Sequence, residues 1–245
     1  MASGYLHGYS EEMLFDLVER LDVRGPRYTS YPTAPVWSTD FPAERYPEAL
    51  GKVGRDGRPV AVYMHLPYCR QRCFYCGCHS FISNDREKMC SYADSLKREI
   101  SHVGEHLPTG ARHAWLHLGG GTPTHLPDEE LAGVLDHLES VLPGIQGGER
   151  SVEVDPRVTT DEALTLLADR GFRRISIGLQ DLDPDVQNAV NREFSYEQIR
   201  DFTGRCRGIG FTSVNIDLIY GLPLQTRETW KRTLERVEGL RPDRV

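Results

Sequence analysis

The chain has 245 residues, of which 39% are hydrophobic and 27% are charged, and this composition is ordinary for a globular protein. The formal net charge is −7, and without a run of basic residues the chain is not expected to bind nucleic acid. No segment approaches the roughly 18 consecutive apolar residues of a membrane span. The first residues lack the basic and then apolar pattern of a secretory signal. We therefore expect a cytoplasmic protein without a membrane span.

The first 55 residues differ in pattern from the rest of the chain. The segment from Ser10 to Leu21 has apolar residues on one side at helical spacing, which predicts an amphipathic helix. The string RGPRYTSYPTAPVW follows it, and each proline disfavours helix in the residue before it. The sequence therefore predicts an N-terminal helix with an extended arm over residues 1–55 and a larger domain over residues 56–245.

Short apolar runs alternate with helical segments from residue 59 onward, which is the pattern of βα units that build a parallel sheet. Ser195 and Gln198 form a capping box at the start of one predicted helix, and Gly171 and Gly210 lie where glycine ends a helix. The apolar runs are nearly continuous, as buried parallel strands are, and they predict strands at 59–66, 113–118, 150–155, 173–179 and 213–220.

The order of these elements predicts an α/β fold. A succession of βα units favours a barrel-like sheet, here a partial (β/α)6-type barrel. A doubly wound open sheet is the alternative. The chain ends with PDRV, where a sixth strand would begin. We therefore expect an architecture that is truncated at the sixth strand, with the C-terminal part of the protein missing.

Four cysteines lie within ten residues, in the pattern C-x3-C-x2-C-x-C after the first predicted strand. In a reducing compartment such crowding indicates a metal site rather than disulfides. Three thiolates at this spacing can ligate three irons of a cubane cluster and leave the fourth iron open to another ligand. A structural zinc site and inert buried cysteines are the alternatives. An iron–sulfur site is favoured because structural zinc sites usually pair C-x2-C segments from distant parts of a chain.

Polar residues follow or interrupt the predicted strands farther along the chain. The string GGGTP follows the second strand, where missing side chains let a ligand touch the backbone, although a tight turn explains it equally well. Glu153, Gln180, Asp181 and Asp217 lie in or just after otherwise apolar strands. A polar group is costly to bury there unless it is paired or ligated. Structural ion pairs and caps are the alternative for each residue, but in barrels functional groups gather at the C-terminal ends of different strands.

The cysteine spacing is also the signature of the radical S-adenosylmethionine (SAM) superfamily, whose members this chain resembles. Further sequence motifs extend the resemblance to the oxygen-independent coproporphyrinogen III oxidases. They cover most of residues 24–245 and are RGPRYTSYPTA, CxxxCxxCGC, GGGTPT, VEVDPR, GLQDLDPDVQNAVNRE and NIDLIYGLP. The resemblance implies a radical SAM barrel that holds a [4Fe–4S] cluster and two molecules of S-adenosyl-L-methionine. In such proteins the methionyl group of SAM chelates the open iron, and cleavage by the reduced cluster yields a 5′-deoxyadenosyl radical.

Carried over position by position, the resemblance implies a role for each of the following residues. The cluster ligands are Cys69, Cys73 and Cys76. The residues at the first SAM are Tyr63, Gly120 and Glu153. The residues at the second SAM are Tyr75, Gly121, Thr122, Gln180, Arg192 and Asp217. Tyr75 stands where an aromatic residue is usual.

Two residues near the cysteines are candidates for catalysis. Cys78 is not needed as a ligand, and the resemblance implies a catalytic role for it, with a cysteine that only packs beside the cluster as the alternative. His65 could hydrogen-bond a sulfide or transfer a proton, and a satisfied strand histidine is the alternative. Arginines near the arm and the cysteines are candidates for binding substrate carboxylates, because guanidinium pairs well with carboxylate: Arg24, Arg27, Arg70 and Arg72. Solvated surface arginines are the alternative.

The implied reaction converts coproporphyrinogen III to protoporphyrinogen IX in haem biosynthesis. Hydrogen abstraction from the β-carbon of a propionate is followed by loss of CO₂ and one electron, and two rounds give two vinyl groups. The implied partners of this monomeric oxidoreductase are the substrate, an electron donor and an electron acceptor. A related haem-binding chaperone without turnover is the main alternative, and a zinc-stabilised interaction module is the third. Because a C-terminal domain that could cover the substrate is missing, we expect these residues to turn over substrate poorly or not at all.

Overall fold

The computed structural model describes residues 10–22, 33 and 36–245. The chain divides into two compact units, Met1–Tyr46 and Pro47–Val245. In the first unit, α1 spans Glu11–Leu21, so the predicted N-terminal helix is confirmed. Most of the predicted arm lies outside the described residues, and Arg24 and Arg27 lie there with it.

The second unit is built around a parallel sheet. Its strands in chain order are β1 (Val60–Leu66), β2 (Tyr68–Cys69), β3 (Phe81–Ile82), β4 (His113–Gly120), β5 (Gly144–Val154), β6 (Arg174–Gln180) and β7 (Ser213–Leu218). β2 and β3 form a small separate sheet, and the other strands form one parallel sheet in the order β1-β4-β5-β6-β7. Each strand of this sheet lies beside the next one along the chain. A doubly wound sheet needs a reversal of strand order, so that alternative is excluded.

The five predicted strands are confirmed, with one large difference in bounds. β5 begins at Gly144, six residues before the predicted start, and its pairing with β4 contains an irregularity between His113 and Trp115. The glycine-rich residues that fill this irregularity have no apolar run to mark them as a strand. At the other edge, Arg244 forms a parallel bridge with Asn215 of β7, at the place where the sixth strand is predicted to begin.

Helices follow the strands along the chain. They are α2 (Arg45–Leu50), which spans the boundary between the units, then α3 (Arg86–His106), α4 (Asp128–Val141), α5 (Asp161–Asp169), α6 (Pro184–Ala189), α7 (Tyr196–Ile209) and α8 (Arg227–Gly239). The predicted capping box at Ser195 and Gln198 is present at the start of α7. A short 3₁₀ turn, Pro123–His125, follows β4. Among the described residues, no helix is long and apolar enough to cross a membrane.

The core lies on one face of the sheet. In β6, Ile175, Ile177 and Leu179 are fully buried and alternate with more polar neighbours. Ile175 and Ile177 belong to one cluster with apolar residues of α4, α5 and α7, and burying each such side chain contributes roughly 1.5–3 kcal/mol. Because strand side chains alternate between faces, this packing directs the polar residues of the strands to the opposite face, where the site described below is found.

Gly204 gives a stability prediction for this unit. It is exposed within α7, and an added Cβ would meet no atom within 4 Å. Glycine inside a helix costs about 0.5–1 kcal/mol relative to alanine, so Gly204→Ala should raise the free energy of unfolding by about that amount in urea denaturation followed by circular dichroism. The control is Gly210→Ala at the end of the same helix, where φ is +126° and alanine should lower stability. Equal effects from the two variants would contradict this account.

Candidate metal and cofactor site

A cavity of about 290 Å³ opens at the C-terminal ends of the strands. Most of the predicted site residues line it: Cys69, Cys73, Tyr75, Cys76, Cys78, Gly120, Gly121, Thr122, Glu153, Gln180, Arg192 and Asp217. They come from the loop after β1 and from β4, β5, β6 and β7 or the segments that follow them. Functional groups of parallel α/β folds gather at this end of the strands, and the structure brings these residues together there.

The cysteine loop, residues 67–80, is held by the segment between α6 and α7. The Phe74 amide donates to the Val190 carbonyl at 3.0 Å. Asn191 has φ +55°, a left-handed conformation that asparagine tolerates. In this conformation its side-chain amide donates to the Arg72 carbonyl at 2.7 Å, and its own carbonyl accepts from Gln71 at 3.3 Å. The loop that carries the thiols is therefore fixed by residues more than a hundred positions away.

Cys73 is the buried thiol of the cysteine loop. Guanidinium groups of Arg157 and Arg192 donate to its Sγ at 3.5 Å and 3.3 Å. Two cations directed at one sulfur suit a ligating thiolate, since charged hydrogen bonds stabilise the anionic form. Two cationic donors at this sulfur therefore favour a ligating cysteine over an inert buried one.

Asp155 holds the two arginines in place. Its carboxylate accepts from Arg157 Nη2 at 2.5 Å and from Arg192 Nη1 at 3.1 Å. Burial alone would raise the pKa of Asp155, but hydrogen bonds from Arg157 and the charges of both arginines more than offset it, so the pKa lies below its ordinary value. Asp155 and Arg157 line the cavity, yet neither was predicted as a site residue. The segment VEVDPR could have identified them, because its Asp155 and Arg157 come directly after an apolar strand.

Cys69 and Cys78 keep their protons more firmly than a free cysteine does. Burial raises the pKa of Cys69. Burial, and then the neighbouring Cys76, raise the pKa of Cys78 to about 11. A metal that binds such thiols must displace their protons, so metal binding here releases protons.

The glycine loop at the end of β4, residues 119–122, packs directly against the cysteine loop. The Gly121 amide donates to the Leu66 carbonyl, and the Thr122 amide donates to the Tyr68 carbonyl, both at 2.9 Å. A Cβ on Gly121 would lie 2.6 Å from the Pro67 carbonyl oxygen, so only glycine permits this approach. The Thr122 hydroxyl also lies 3.6 Å from Cys69 Sγ.

Glu153 and Asp217 are held by polar neighbours on the open face of the sheet. His117 donates through Nε2 to Glu153 at 3.2 Å, and its Nδ1 lies 2.8 Å from the Ser151 hydroxyl. Asp217 accepts from Ser176 and from Asn215, both at 2.7 Å. These contacts fix both carboxylates at the cavity wall without an arginine or lysine partner among the described residues, so each can accept from a bound ligand.

Gln180 lines the cavity and has an unsatisfied side-chain acceptor. Its Oε1 is buried and has no hydrogen-bond partner among the described residues, and such an atom costs about 1–3 kcal/mol. The residue also has φ +74°, and a strained non-glycine conformation of this kind is typical of functional sites. Both observations fit a site that a polar ligand completes.

Tyr63 and His65 do not line the cavity but lie beside it on β1. The His79 carbonyl can only accept, so His65 Nε2 donates to it at 2.8 Å, and His65 Nδ1 accepts from the Tyr63 hydroxyl at 3.0 Å. Both ring nitrogens of His65 are therefore engaged, as in a satisfied strand histidine. Tyr63 stacks on His117 at 5.8 Å, and Gly119 gives room to both Tyr63 and Glu153, which a Cβ there would approach to 3.0–3.1 Å.

Asp181 and the arginines near the cysteines differ in whether they line the cavity. Asp181 is buried, accepts from Thr233 at 2.7 Å and from Gln225, and does not line the cavity. Its role is therefore structural, which was the alternative considered for each of these polar residues. Arg72 lines the cavity, whereas Arg70 does not. Arg72 is therefore the better placed of the two to meet an anionic substrate.

Residues 63–237 match the radical SAM superfamily, and the chain belongs to it. The fold and the cysteine loop thus define a radical SAM protein, for which a [4Fe–4S] cluster and SAM are the cofactors. The thiols, the cations on Cys73 and the open acceptor of Gln180 fit such a pair of groups.

More specific similarities lie within this superfamily. The chain is 41% identical over 229 residues to oxygen-independent coproporphyrinogen III oxidase of Escherichia coli (strain K12). It is 42% identical over 231 residues to the protein of the same name from Salmonella typhimurium. Each alignment covers 94% of this chain and 50% of the relative, so the chain spans about half the length of the curated relatives it matches.

Solved structures agree with these alignments. Coproporphyrinogen III oxidase from Escherichia coli superposes with a TM-score of 0.85 at 39% identity, over 94% of this chain and 50% of that chain. A radical SAM methyltransferase from Kitasatospora setae has a TM-score of 0.50 at 15% identity, covering 75% of this chain and 33% of that chain, and shows a shared fold alone.

Proposed function

We propose that this chain is the cluster-binding part of an oxygen-independent coproporphyrinogen III oxidase that acts in the cytoplasm. The observation that carries the proposal is the convergence of the predicted site residues on one cavity in a chain 41% identical to the Escherichia coli enzyme of that name. The substrate would be coproporphyrinogen III and the product protoporphyrinogen IX. An electron donor and an electron acceptor complete the reaction.

The residues divide into a cluster site and a cofactor site. Cys69, Cys73 and Cys76 would hold the cluster. Glu153, with Tyr63 and Gly120, would hold the SAM at the open iron. When bound, the cluster and SAM supply a 5′-deoxyadenosyl radical that removes hydrogen from a propionate side chain.

A second SAM forms a further part of the proposal. Tyr75, Gly121, Thr122, Gln180, Arg192 and Asp217 would hold it, and the unsatisfied Oε1 of Gln180 supports a polar ligand there. Cys78 lies on the cavity wall beside the predicted ligands and would serve in catalysis. The arm over residues 24–34 would help to bind the substrate propionates, with Arg72 at the cavity rim.

Anaerobic assay tests this function. The reconstituted chain is compared with a fusion in which it replaces the matching part of the Escherichia coli enzyme, because the chain spans about half of that relative. With reductant, SAM and coproporphyrinogen III, the fusion should form protoporphyrinogen IX together with 5′-deoxyadenosine. The chain alone should cleave SAM without efficient turnover.

Several outcomes would count against the proposal. A fusion that holds its cluster and cleaves SAM but leaves coproporphyrinogen III unchanged would overturn it. Stable haem binding in place of turnover would favour a haem-binding chaperone. Two molecules of bound SAM per reconstituted chain, measured by equilibrium dialysis, are expected, and a single one would remove the second site.

A further inference from the structure

The thiols of the three predicted cluster ligands differ in their hydrogen-bond donors. In the part of the chain that the structure describes, Cys73 Sγ accepts from two guanidinium groups. The partner of Cys69 is the neutral hydroxyl of Thr122 at 3.6 Å, and no arginine or lysine donates to Cys76 there. Two positive charges are thus directed at one of the three predicted ligands.

Both arginines beside Cys73 make further contacts that orient them. Arg157 also donates to the Asn191 carbonyl at 3.2 Å, and Arg192 donates to the Gly178 carbonyl at 2.7 Å. Each guanidinium carbon lies over the Phe194 ring, 5.4 and 5.3 Å from its centroid. With Asp155 bridging them, the two side chains are held by several contacts each, so their direction toward Cys73 is set before any ligand binds.

We propose that Arg157, positioned by Asp155, raises the reduction potential of the cluster through its hydrogen bond and charge on the thiolate of Cys73. Reduction adds one electron, and the added negative charge is shared by the sulfurs that ligate iron. A cationic donor at a ligating sulfur stabilises the reduced cluster more than the oxidised one. Charge interactions strengthen as the surroundings become less polar, and the Arg157 side chain is only 17% exposed. Arg157 is a positioning residue here, because it acts through the sulfur of Cys73.

The inference rests on the proposed role of Cys73 as a ligand and on membership of the radical SAM superfamily. It does not depend on the identity of the substrate. Arg157 is the informative arginine because Arg192 is also predicted to contact the second SAM. A change at Arg157 therefore reports on the cluster with the least disturbance of cofactor binding.

The test is a redox titration of the reconstituted chain without SAM, followed by electron paramagnetic resonance, with titanium(III) citrate as reductant. The variants are Arg157→Gln and Arg157→Lys. Arg170→Gln is the control, because it removes one positive charge from the exposed pair with Asp136 and Arg170 does not line the cavity. Iron and sulfide are measured first in every variant.

The expected result is a shift of the midpoint potential to more negative values in Arg157→Gln. A smaller shift in the same direction is expected in Arg157→Lys, whose single ammonium cannot span Asp155 and Cys73 as the planar guanidinium does. Arg170→Gln should match the unchanged chain. A fully loaded Arg157→Gln protein with the potential of the unchanged chain would overturn the proposal.

Loss of the cluster in the glutamine variant does not end the test. If Arg157→Gln holds no iron, Arg157→Lys decides, and an unshifted potential in that variant refutes the proposal. If the chain still binds a complete cluster after Cys73→Ser, the ligand assignment fails instead, and that failure is recognised by iron content alone.

Discussion

Cys73→Ser should leave a folded chain that no longer holds an intact [4Fe–4S] cluster. A cubane cluster with an open iron needs three protein thiolates, and a serine hydroxyl is a poor replacement for a soft thiolate at iron. After anaerobic reconstitution, iron and sulfide per chain should fall several-fold, the brown colour should fade, and SAM should no longer be cleaved. Absorbance, iron analysis and deoxyadenosine assay measure these three losses.

Cys90→Ser is the matched control for this experiment. Cys90 lies in α3 and does not line the cavity, so its replacement should leave cluster content and SAM cleavage unchanged. Equal loss in both variants would indicate general damage. A Cys73→Ser protein with a complete cluster would remove Cys73 from the ligand set.

Gly121→Ala should disrupt the contact between the glycine loop and the cysteine loop. The added methyl group would lie 2.6 Å from the Pro67 carbonyl oxygen and 2.8 Å from that of Tyr68, and both are backbone atoms that cannot rotate away. Overpacking of this kind costs about 1–3 kcal/mol. The free energy of unfolding should fall by that amount. SAM affinity, measured by equilibrium dialysis of the reconstituted protein, should also fall, because Gly121 and Thr122 of the displaced glycine loop are predicted to contact the second SAM.

Gly77→Ala provides the comparison within the cysteine loop. An added Cβ at Gly77 meets no atom within 4 Å, and its backbone is outside the left-handed region. Stability and SAM affinity should therefore stay close to those of the unchanged chain. If Gly121→Ala behaved like Gly77→Ala, the two loops would not be packed as described.

The sheet and most of the cavity could be predicted from the sequence because both depend on patterns of neighbouring residues. Buried parallel strands are continuous apolar runs, and polar residues at their ends stand out against that background. Gln180 and Asp217 were found in this way, and the structure places both on the cavity wall. The start of β5 was missed because the glycine-rich residues after Gly144 carry no such run.

The interactions around Cys73 could not be predicted because they join distant parts of the chain. Cys73 and Arg192 are 119 positions apart, and Cys73 and Arg157 are 84 apart. The sequence VEVDPR does not show whether its arginine is exposed to solvent on a loop or contacts a cysteine sulfur. His65 shows the reverse case, in which a residue near the cysteines in sequence is engaged by Tyr63 and His79 instead.

The hydrogen bonds between Asn191 and the cysteine loop affect the order of folding and metal insertion. During synthesis the thiols leave the ribosome early, whereas Val190 and Asn191, which fasten their loop, emerge more than a hundred residues later. Because each strand of the sheet pairs with its predecessor, the first βα units can assemble on the nascent chain while that loop is still loose. We therefore expect metal insertion to follow translation of β6 and α6, and iron offered to shorter nascent chains should be retained weakly.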